Sequence, residues 1–428
     1  MPSRPRQNVP ASLHFGPPEP TFGGKEEGEY KDVEIMYSPL GSPTLAASTA
    51  KLRNKVPTQM VRYLRLYFAC VFIILFILNI DIIPAIPAPW KIFQHEEVHI
   101  STQPGSTFPQ KIWQTWKVNA LDFEEKDTNN VRSWLAKNPG MRYEVLTDAN
   151  EMSYVEQYFG PKGFNRMDIV NFYRAVDIAI VKADLLRYMI MYAEGGVYAD
   201  IDVEALRPVH RFIPERYDEK DIDIIVGVEI DQPEFRDHPI LGKKSMSFCQ
   251  WTIISRPQQP VLLQLIENIM VWLKGVAKKQ GVPLGKVQLD FDQVISGTGP
   301  SAFTDALIAD MNKKSRGPKI TWDTFHNLDE SKVVGRVLVL DIQAFCAGQG
   351  HSDSGNHDAR GALVKHHYHA SNWPSKHPRF LHPVYGQVEN CNWDRECVRK
   401  WDENVAEFNK LSEEGKKRMI EEANKPKE

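Results

Sequence analysis

Cysteine is scarce in this chain, with five in 428 residues, and no two are spaced as Cys-x2-Cys, which argues against a structural zinc site. There is no Asn-x-Ser/Thr sequon, so glycosylation carries no information about compartment. Neither sign of charge prevails: 52 Lys and Arg face 55 Asp and Glu, for a formal net charge of -3. No basic stripe interleaved with aromatics is present, so nucleic acid is not expected as a partner. What remains is ordinary globular material, 42% hydrophobic and 25% charged, long enough for one large domain or two smaller ones.

The few cysteines are unevenly placed. Cys70 falls in an apolar run, while Cys391 and Cys397 bracket a short Asn-Trp-Asp-Arg-Glu segment. That pair could close a small disulfide loop in an oxidising compartment; otherwise it is two free thiols.

Residues 1–62, rich in Pro, Gly, Ser and charge, read as a disordered cytoplasmic tail. Leu66 to Ile80 is almost unbroken apolar sequence, resuming after Asp81 as Ile82-Ile83-Pro84-Ala85-Ile86. With that tail it reaches roughly the 20 residues a bilayer span requires, so 63–86 is expected to be an uncleaved transmembrane signal anchor. Lys51, Arg53, Lys55, Arg62 and Arg65 precede it, and Asp81, Glu96 and Glu97 follow. This bias places the N-terminus in the cytoplasm and the rest in a lumen. A short span suits a thin early-secretory membrane. Residues 87–107 read as a stem, 108–385 as the catalytic domain, and 386–428 as the Cys loop with a charged helical tail.

From Phe108 the chain alternates strands and helices. Lys111 to Trp116 and Tyr143 to Thr147 predict strands, with a helix around Val131–Lys137 between them. One long helix is expected over Phe172–Glu194, stopped by Gly195. Further strands fit Ile222–Val228, Trp251–Ile254 and Val337–Leu340, with a helix over Pro260–Gly275. The alternation predicts an α/β fold on a mostly parallel central sheet with flanking helices.

The chemistry concentrates in Gly195-Gly196-Val197-Tyr198-Ala199-Asp200-Ile201-Asp202. If this segment is extended, Asp200 and Asp202 project to one face and Val197, Ala199, Ile201 and Val203 to the other. A two-carboxylate front suits a hard divalent cation that also grips phosphate oxygens. Upstream, Asp184 lies one helical turn from Arg187 and Tyr188. As a surface pair these residues contribute little; beside the strand end, they could hold sugar hydroxyls and balance substrate charge. His366-His367-Tyr368-His369-Ala370-Ser371-Asn372-Trp373 offers a further metal ligand, a phosphate donor and an aromatic wall, or is simply an aromatic surface loop. Ser296-Gly297-Thr298-Gly299-Pro300-Ser301 is a turn whose backbone N–H groups could line a ligand. Asp200-Ile201-Asp202-Val203 also fits the D-x-D-x-[TV] pattern of aspartyl phosphohydrolases. That chemistry normally opens its domain with the Asp strand, whereas two strands precede it here, and only Asp290 and Asp292 loosely fit the later acidic pair.

Taken in order, Lys111-Ile112-Trp113-Gln114-Thr115-Trp116, Leu146-Thr147-Asp148, Asp184-x-x-Arg187-Tyr188, Gly195-Gly196-x-Tyr198-Ala199-Asp200-x-Asp202, Gln250-Trp251-Thr252-Ile253, Thr298-Gly299-Pro300 and the His loop before Trp373 resemble the DXD-containing family 32 glycosyltransferases. Within them the chain looks most like the fungal Och1/Hoc1-type α-1,6-mannosyltransferases, over about Phe108 to Pro383. The resemblance implies a GT-A fold, GDP-mannose as donor, Mn²⁺ or another divalent cation, and a Golgi type II membrane protein with a lumenal catalytic domain. It further implies Asp200, Asp202, Asp184 and Arg187 as catalytic residues. Trp113, Asp184, Arg187, Tyr188, Gly196, Tyr198, Asp200, Ser371 and Trp373 would bind the nucleotide sugar. Asp202, Asp200 and His367 would hold the metal, with His366 and His369 as the alternatives for the third ligand. Asn372 separates Ser371 from Trp373, a departure from the family's Ser-Trp ending. The implied partners are a glycan acceptor on glycoproteins, the Golgi membrane and subunits of a mannosyltransferase complex. Two other readings stay open: an inositol phosphoceramide mannosyltransferase, and a non-catalytic subunit of a mannan-polymerase complex.

Overall fold

The computed structural model describes residues 63–64, 66–71, 107–369 and 376–425. The N-terminal unit, ending at His95, contributes only the helical residues 63–64 and 66–71. The expected tail and most of the expected anchor and stem therefore lie outside the described residues, as do Ser371 and Trp373.

The second unit is built on an eight-stranded sheet in which seven strands run in the order β2-β1-β3-β7-β5-β9-β8 and β6 pairs with β5. The strands are β1 (Lys111–Trp116), β2 (Arg142–Thr147), β3 (Gly196–Ala199), β5 (Ile224–Asp231), β6 (Met246–Phe248), β7 (Thr252–Ser255), β8 (Lys332–Val334) and β9 (Val337–Leu340). A separate two-stranded ribbon joins β4 (Val203–Ala205) to β10 (Val364–His366). The helices are α1 (Glu125–Lys137), α2 (Glu151–Phe159), α3 (Met167–Ala175), α4 (Ala179–Ala193), α5 (Pro260–Gln280), α6 (Phe291–Gly297), α7 (Pro300–Lys314), α8 (Ile342–Cys346), α9 (Arg395–Lys410) and α10 (Glu413–Ala423).

The sheet is mixed, and the expectation of a mostly parallel one is corrected. β1 runs parallel to β2 and β3, and β5 to β9. β7, however, enters antiparallel between β3 and β5, and β6 and β8 are antiparallel to their neighbours. Strand–helix alternation holds only as far as β3. It fails from β3 to β7, five strands that follow one another with no α-helix between them.

Period-two burial divides the core. Tyr198, Ile224, Val226 and Val228 face one layer with α2, α4, α5 and α7, while Val197, Ala199 and Ile225 face the other with Trp134 of α1 and Phe345 of α8. α5 has the length and composition of a membrane span. Its Leu262, Ile266, Ile269 and Leu273 are buried in the first layer, which makes it a core helix. The expected single helix over Phe172–Glu194 is two, broken at Val176–Ile178, where both flanking residues are extended. Buried Val176 turns into the first layer and so holds the break. Cys391 and Cys397 are bridged, and on either side of the stapled segment Val388, Val398 and Trp401 pack with Phe235 and Leu241.

Candidate active site

The passage from α4 into β3 depends on two glycines in left-handed conformations. Gly195 has φ +64°, and a Cβ there would lie 2.5 Å from Ser255 O. Gly196 has φ +93°, and a Cβ would lie 2.6 Å from Lys111 O. Only glycine fits so close to neighbouring strands at such angles. Trp113 closes this corner, its indole donating to Gly195 O at 3.1 Å.

β3 ends at Ala199, and the segment after it is a turn: Val203 N bonds back to Asp200 O at 3.0 Å. The extended conformation assumed from the sequence is thus corrected beyond Asp200. Up to Asp200 the alternation holds, since Tyr198 donates its hydroxyl to Asp200 Oδ1 at 2.7 Å. Surrounding elements fix the turn by its carbonyls. Gln114 of β1 donates to Asp200 O (3.0 Å), Asn130 of α1 to Ile201 O (3.1 Å) and the Trp134 indole to Val203 O (2.8 Å). His367 N donates to Asp202 O at 2.9 Å. None of these supporting residues was singled out from sequence for that task; their signal, polar side chains within otherwise apolar elements, is faint.

Behind the turn runs a buried ionic chain. Arg187, 5% exposed, reaches Asp184 Oδ1 and Asp200 Oδ1, each at 3.2 Å. Asp184, 1% exposed, also accepts from Thr298 Oγ1 at 2.7 Å and Gln250 at 3.3 Å. Tyr188 donates to Gln250 and to Thr298 O. Asp184 and Tyr188 are therefore fully engaged by protein groups, and the Thr298 turn packs on α4. Burial pushes the Asp184 and Asp200 carboxyls up, opposed in each by Arg187; the Asp202 charge adds to the rise at Asp200.

Asp202 differs. It is 1% exposed, its Oδ1 meets His366 Nε2 at 3.1 Å, and its Oδ2 has no hydrogen-bond partner within the protein. Burial raises its carboxyl, but the His366 hydrogen bond and charge outweigh it, leaving Asp202 below the ordinary range. His366 sits between Trp251 (ring centroids 4.5 Å) and Tyr368 (3.9 Å), and its Nδ1 is also buried without a partner. The structure thus sets His366, not His367, against Asp202. Antiparallel pairing of β10 with β4 places His366 opposite Val203, and the next residue turns to the other face, where His367 meets Glu204 at 3.0 Å. His369 pairs with Asp127 of α1 at 2.8 Å.

Sequence reasoning also passed over Glu229, which lies in the apolar run of β5. Its Oε1 accepts from the Trp251 indole at 2.9 Å and its Oε2 from Ser247 at 3.2 Å. Burial raises its carboxyl against the opposing Trp251 hydrogen bond and His366. Trp251 thereby links Glu229 to the His366–Asp202 pair.

An orphaned carboxylate oxygen beside an imidazole fits a divalent ion with mixed O and N ligands. Among the described residues no group of three His, Cys, Asp or Glu side chains is gathered for an ion. Ions held by one or two carboxylates usually complete their coordination with water and the phosphates of a substrate.

A family model, the glycosyltransferase sugar-binding region containing the DXD motif, matches residues 124–218, which include Asp184, Arg187, Asp200 and Asp202. The chain is similar to the "Initiation-specific alpha-1,6-mannosyltransferase" of Schizosaccharomyces pombe, 32% identical over 269 residues, covering 62% of this chain and 63% of that protein. It is 34% identical over 253 residues to the "Putative glycosyltransferase HOC1" of Saccharomyces cerevisiae, covering 58% and 61%. To the "Initiation-specific alpha-1,6-mannosyltransferase" of Candida albicans it is 33% identical over 289 residues, covering 62% and 72%. The chain thus spans under two thirds of the length of the first two relatives. With the Asp200–Asp202 turn inside the matched region, this chain belongs to the DXD-containing glycosyltransferases.

Proposed function

We propose that this protein is a metal-dependent, retaining mannosyltransferase that moves mannose from GDP-mannose to a glycan acceptor, forming an α-1,6 linkage on N-glycans. It works as a single-pass type II protein of the Golgi membrane with its catalytic domain in the lumen. The names of the relatives support mannosyl transfer. The apolar run at 63–86, its basic flank and the Cys391–Cys397 bridge support the location.

The observation that carries the reading is the buried, unpartnered Oδ2 of Asp202 beside His366. These two side chains would hold the ion, Mn²⁺ or another divalent cation, whose chemistry is to neutralise the charge growing on the diphosphate leaving group. Asp200, tied to Arg187 and Tyr198, positions the donor sugar or ribose. Arg187, backed by Asp184, sets the charge balance behind it. Attack from the front face is assisted by the leaving phosphate, while Glu229, held through both oxygens, steadies the Trp251 ring beside His366. An α-linked donor giving an α-linked product requires retention.

The test is donor turnover by the full chain in detergent with GDP-mannose, with and without an acceptor glycan. Turnover should require Mn²⁺ and vanish in Asp202→Ala, while that variant keeps its circular dichroism and thermal midpoint. Full activity in a chelator, or in the variant, would sink the reading.

A further inference from the structure

Two thiols outside the carboxylate turn are brought together by the fold. Cys249 lies in the link between β6 and β7, and Cys346 ends α8. They are 97 positions apart in the chain, yet their Sγ atoms are 3.0 Å apart. Both are buried, at 0% and 1% exposure, in the second core layer. A thiol is a weak donor and a weak acceptor, so the approach gains little as a hydrogen bond.

One residue of β5 anchors both. Cys249 N donates to Gly227 O at 2.8 Å. Phe345, next to Cys346, occupies the space a side chain at Gly227 would take, 2.8 Å from where its Cβ would sit. The two sulfurs thus face each other on backbone that is fixed on each side, about 1 Å beyond the length of an S–S bond. The same chain already carries the Cys391–Cys397 bridge, as befits a protein matured where thiols are oxidised.

We propose that Cys249 and Cys346 form a second intrachain disulfide in the mature protein, fastening the β6–β7 link to α8. Each cysteine loses its S–H hydrogen and one S–S bond forms. The two hydrogens, as two protons and two electrons, pass to the disulfide of a thiol–disulfide oxidoreductase, whose own S–S bond breaks to give two thiols. The exchange runs through a mixed disulfide with one cysteine, which the thiolate of the other displaces. Burial pushes both thiols above their ordinary range, so the exchange belongs to folding, before α8 closes over β5. The bridge borders Gln250 and Trp251, the residues that reach Asp184 and Glu229, and so fixes the frame from which they reach.

The experiment uses the full chain purified from a secretory-pathway host. It is denatured with an alkylating reagent in the absence of reductant, digested and analysed by mass spectrometry. The peptides carrying Cys249 and Cys346 should appear as one cross-linked species, two hydrogens lighter than their sum, that separates on reduction. Cys70 should be alkylated in the same sample, which confirms that the reagent reached free thiols. Alkylation of Cys249 and Cys346 without reductant, or cross-linking of either to another cysteine, overturns the proposal. Because the wild-type chain is read directly, no variant has to fold.

Discussion

Removing the charge of Arg187 is the sharpest test of how the carboxylate turn is supported. Arg187→Met keeps much of the side-chain volume but leaves Asp184 at 1% exposure with only Thr298 and Gln250 as partners. Breaking a buried pair from one side costs about 3–5 kcal/mol. Two neutral donors remain and the Asp184 carboxyl can protonate, so the lower end, about 3 kcal/mol, is expected. Asp200 loses the same partner but keeps Tyr198, and its side chain is 26% exposed, so it adds less. For a domain of this size the apparent thermal midpoint should fall by roughly 4 °C. Asp184→Asn leaves Arg187 paired with Asp200 and should cost less, about 1–3 kcal/mol. The double variant Asp184→Asn/Arg187→Met removes both charges and should lose less than the sum of its parts, with a coupling of about 2 kcal/mol. Differential scanning calorimetry or denaturant unfolding of the four proteins reads the cycle. An Arg187→Met protein within about 1 kcal/mol of wild type, or a cycle that is additive, would refute the reasoning.

His366→Asn should weaken Mn²⁺-dependent turnover at least tenfold, whereas His367→Asn, which loses its contacts with Glu204 and the His369 ring, should stay within about twofold; titrating Mn²⁺ in both variants separates them. Glu229→Gln keeps one acceptor, for the Trp251 indole, and turns its amide as a donor toward the Ser247 hydroxyl, but loses the charge facing His366, so Mn²⁺-dependent transfer should fall about tenfold while the thermal midpoint stays near wild type. Gly196→Ala puts a Cβ against Lys111 O at φ +93° and should cost about 2 kcal/mol or more of stability in denaturant unfolding.

Much of this architecture was legible where local pattern and tertiary role coincide. β1 and β9 fall on the residues expected, because short β-rich runs bounded by turn residues have few other fates. The helix stop at Gly195 followed from a residue that tolerates left-handed angles. The break at Val176–Ile178 was not legible, since no Gly or Pro marks it and buried packing of Val176 decides it. Sheet direction was hidden for a similar reason: nothing within Trp251-Thr252-Ile253-Ile254 says which way it runs beside Val197. The carboxylate pair and Asp184/Arg187 were visible as residue types at telling spacings. Which histidine meets Asp202 was not, because it depends on the register of β10 against β4, and a shift of one residue reverses every face. Glu229 gave no signal, following the apolar run Ile224–Val228 of β5, and its meaning comes only from its contact with Trp251.

The antiparallel entry of β7 has a mechanical consequence. Because β7 starts where β3 stops, the last residue of one and the first of the other share a rim, and Asp200 N bonds to Trp251 O at 2.9 Å. A displacement of the 249–251 segment is therefore transmitted to the Asp200 backbone through a single stiff rung, with no intervening side chain to absorb it. Had β7 run parallel to β3, Trp251 would stand a strand's length away and the two loops could drift independently. The rim behaves instead as one lever, gripping the Trp251 ring on one arm and the paired carboxylates on the other.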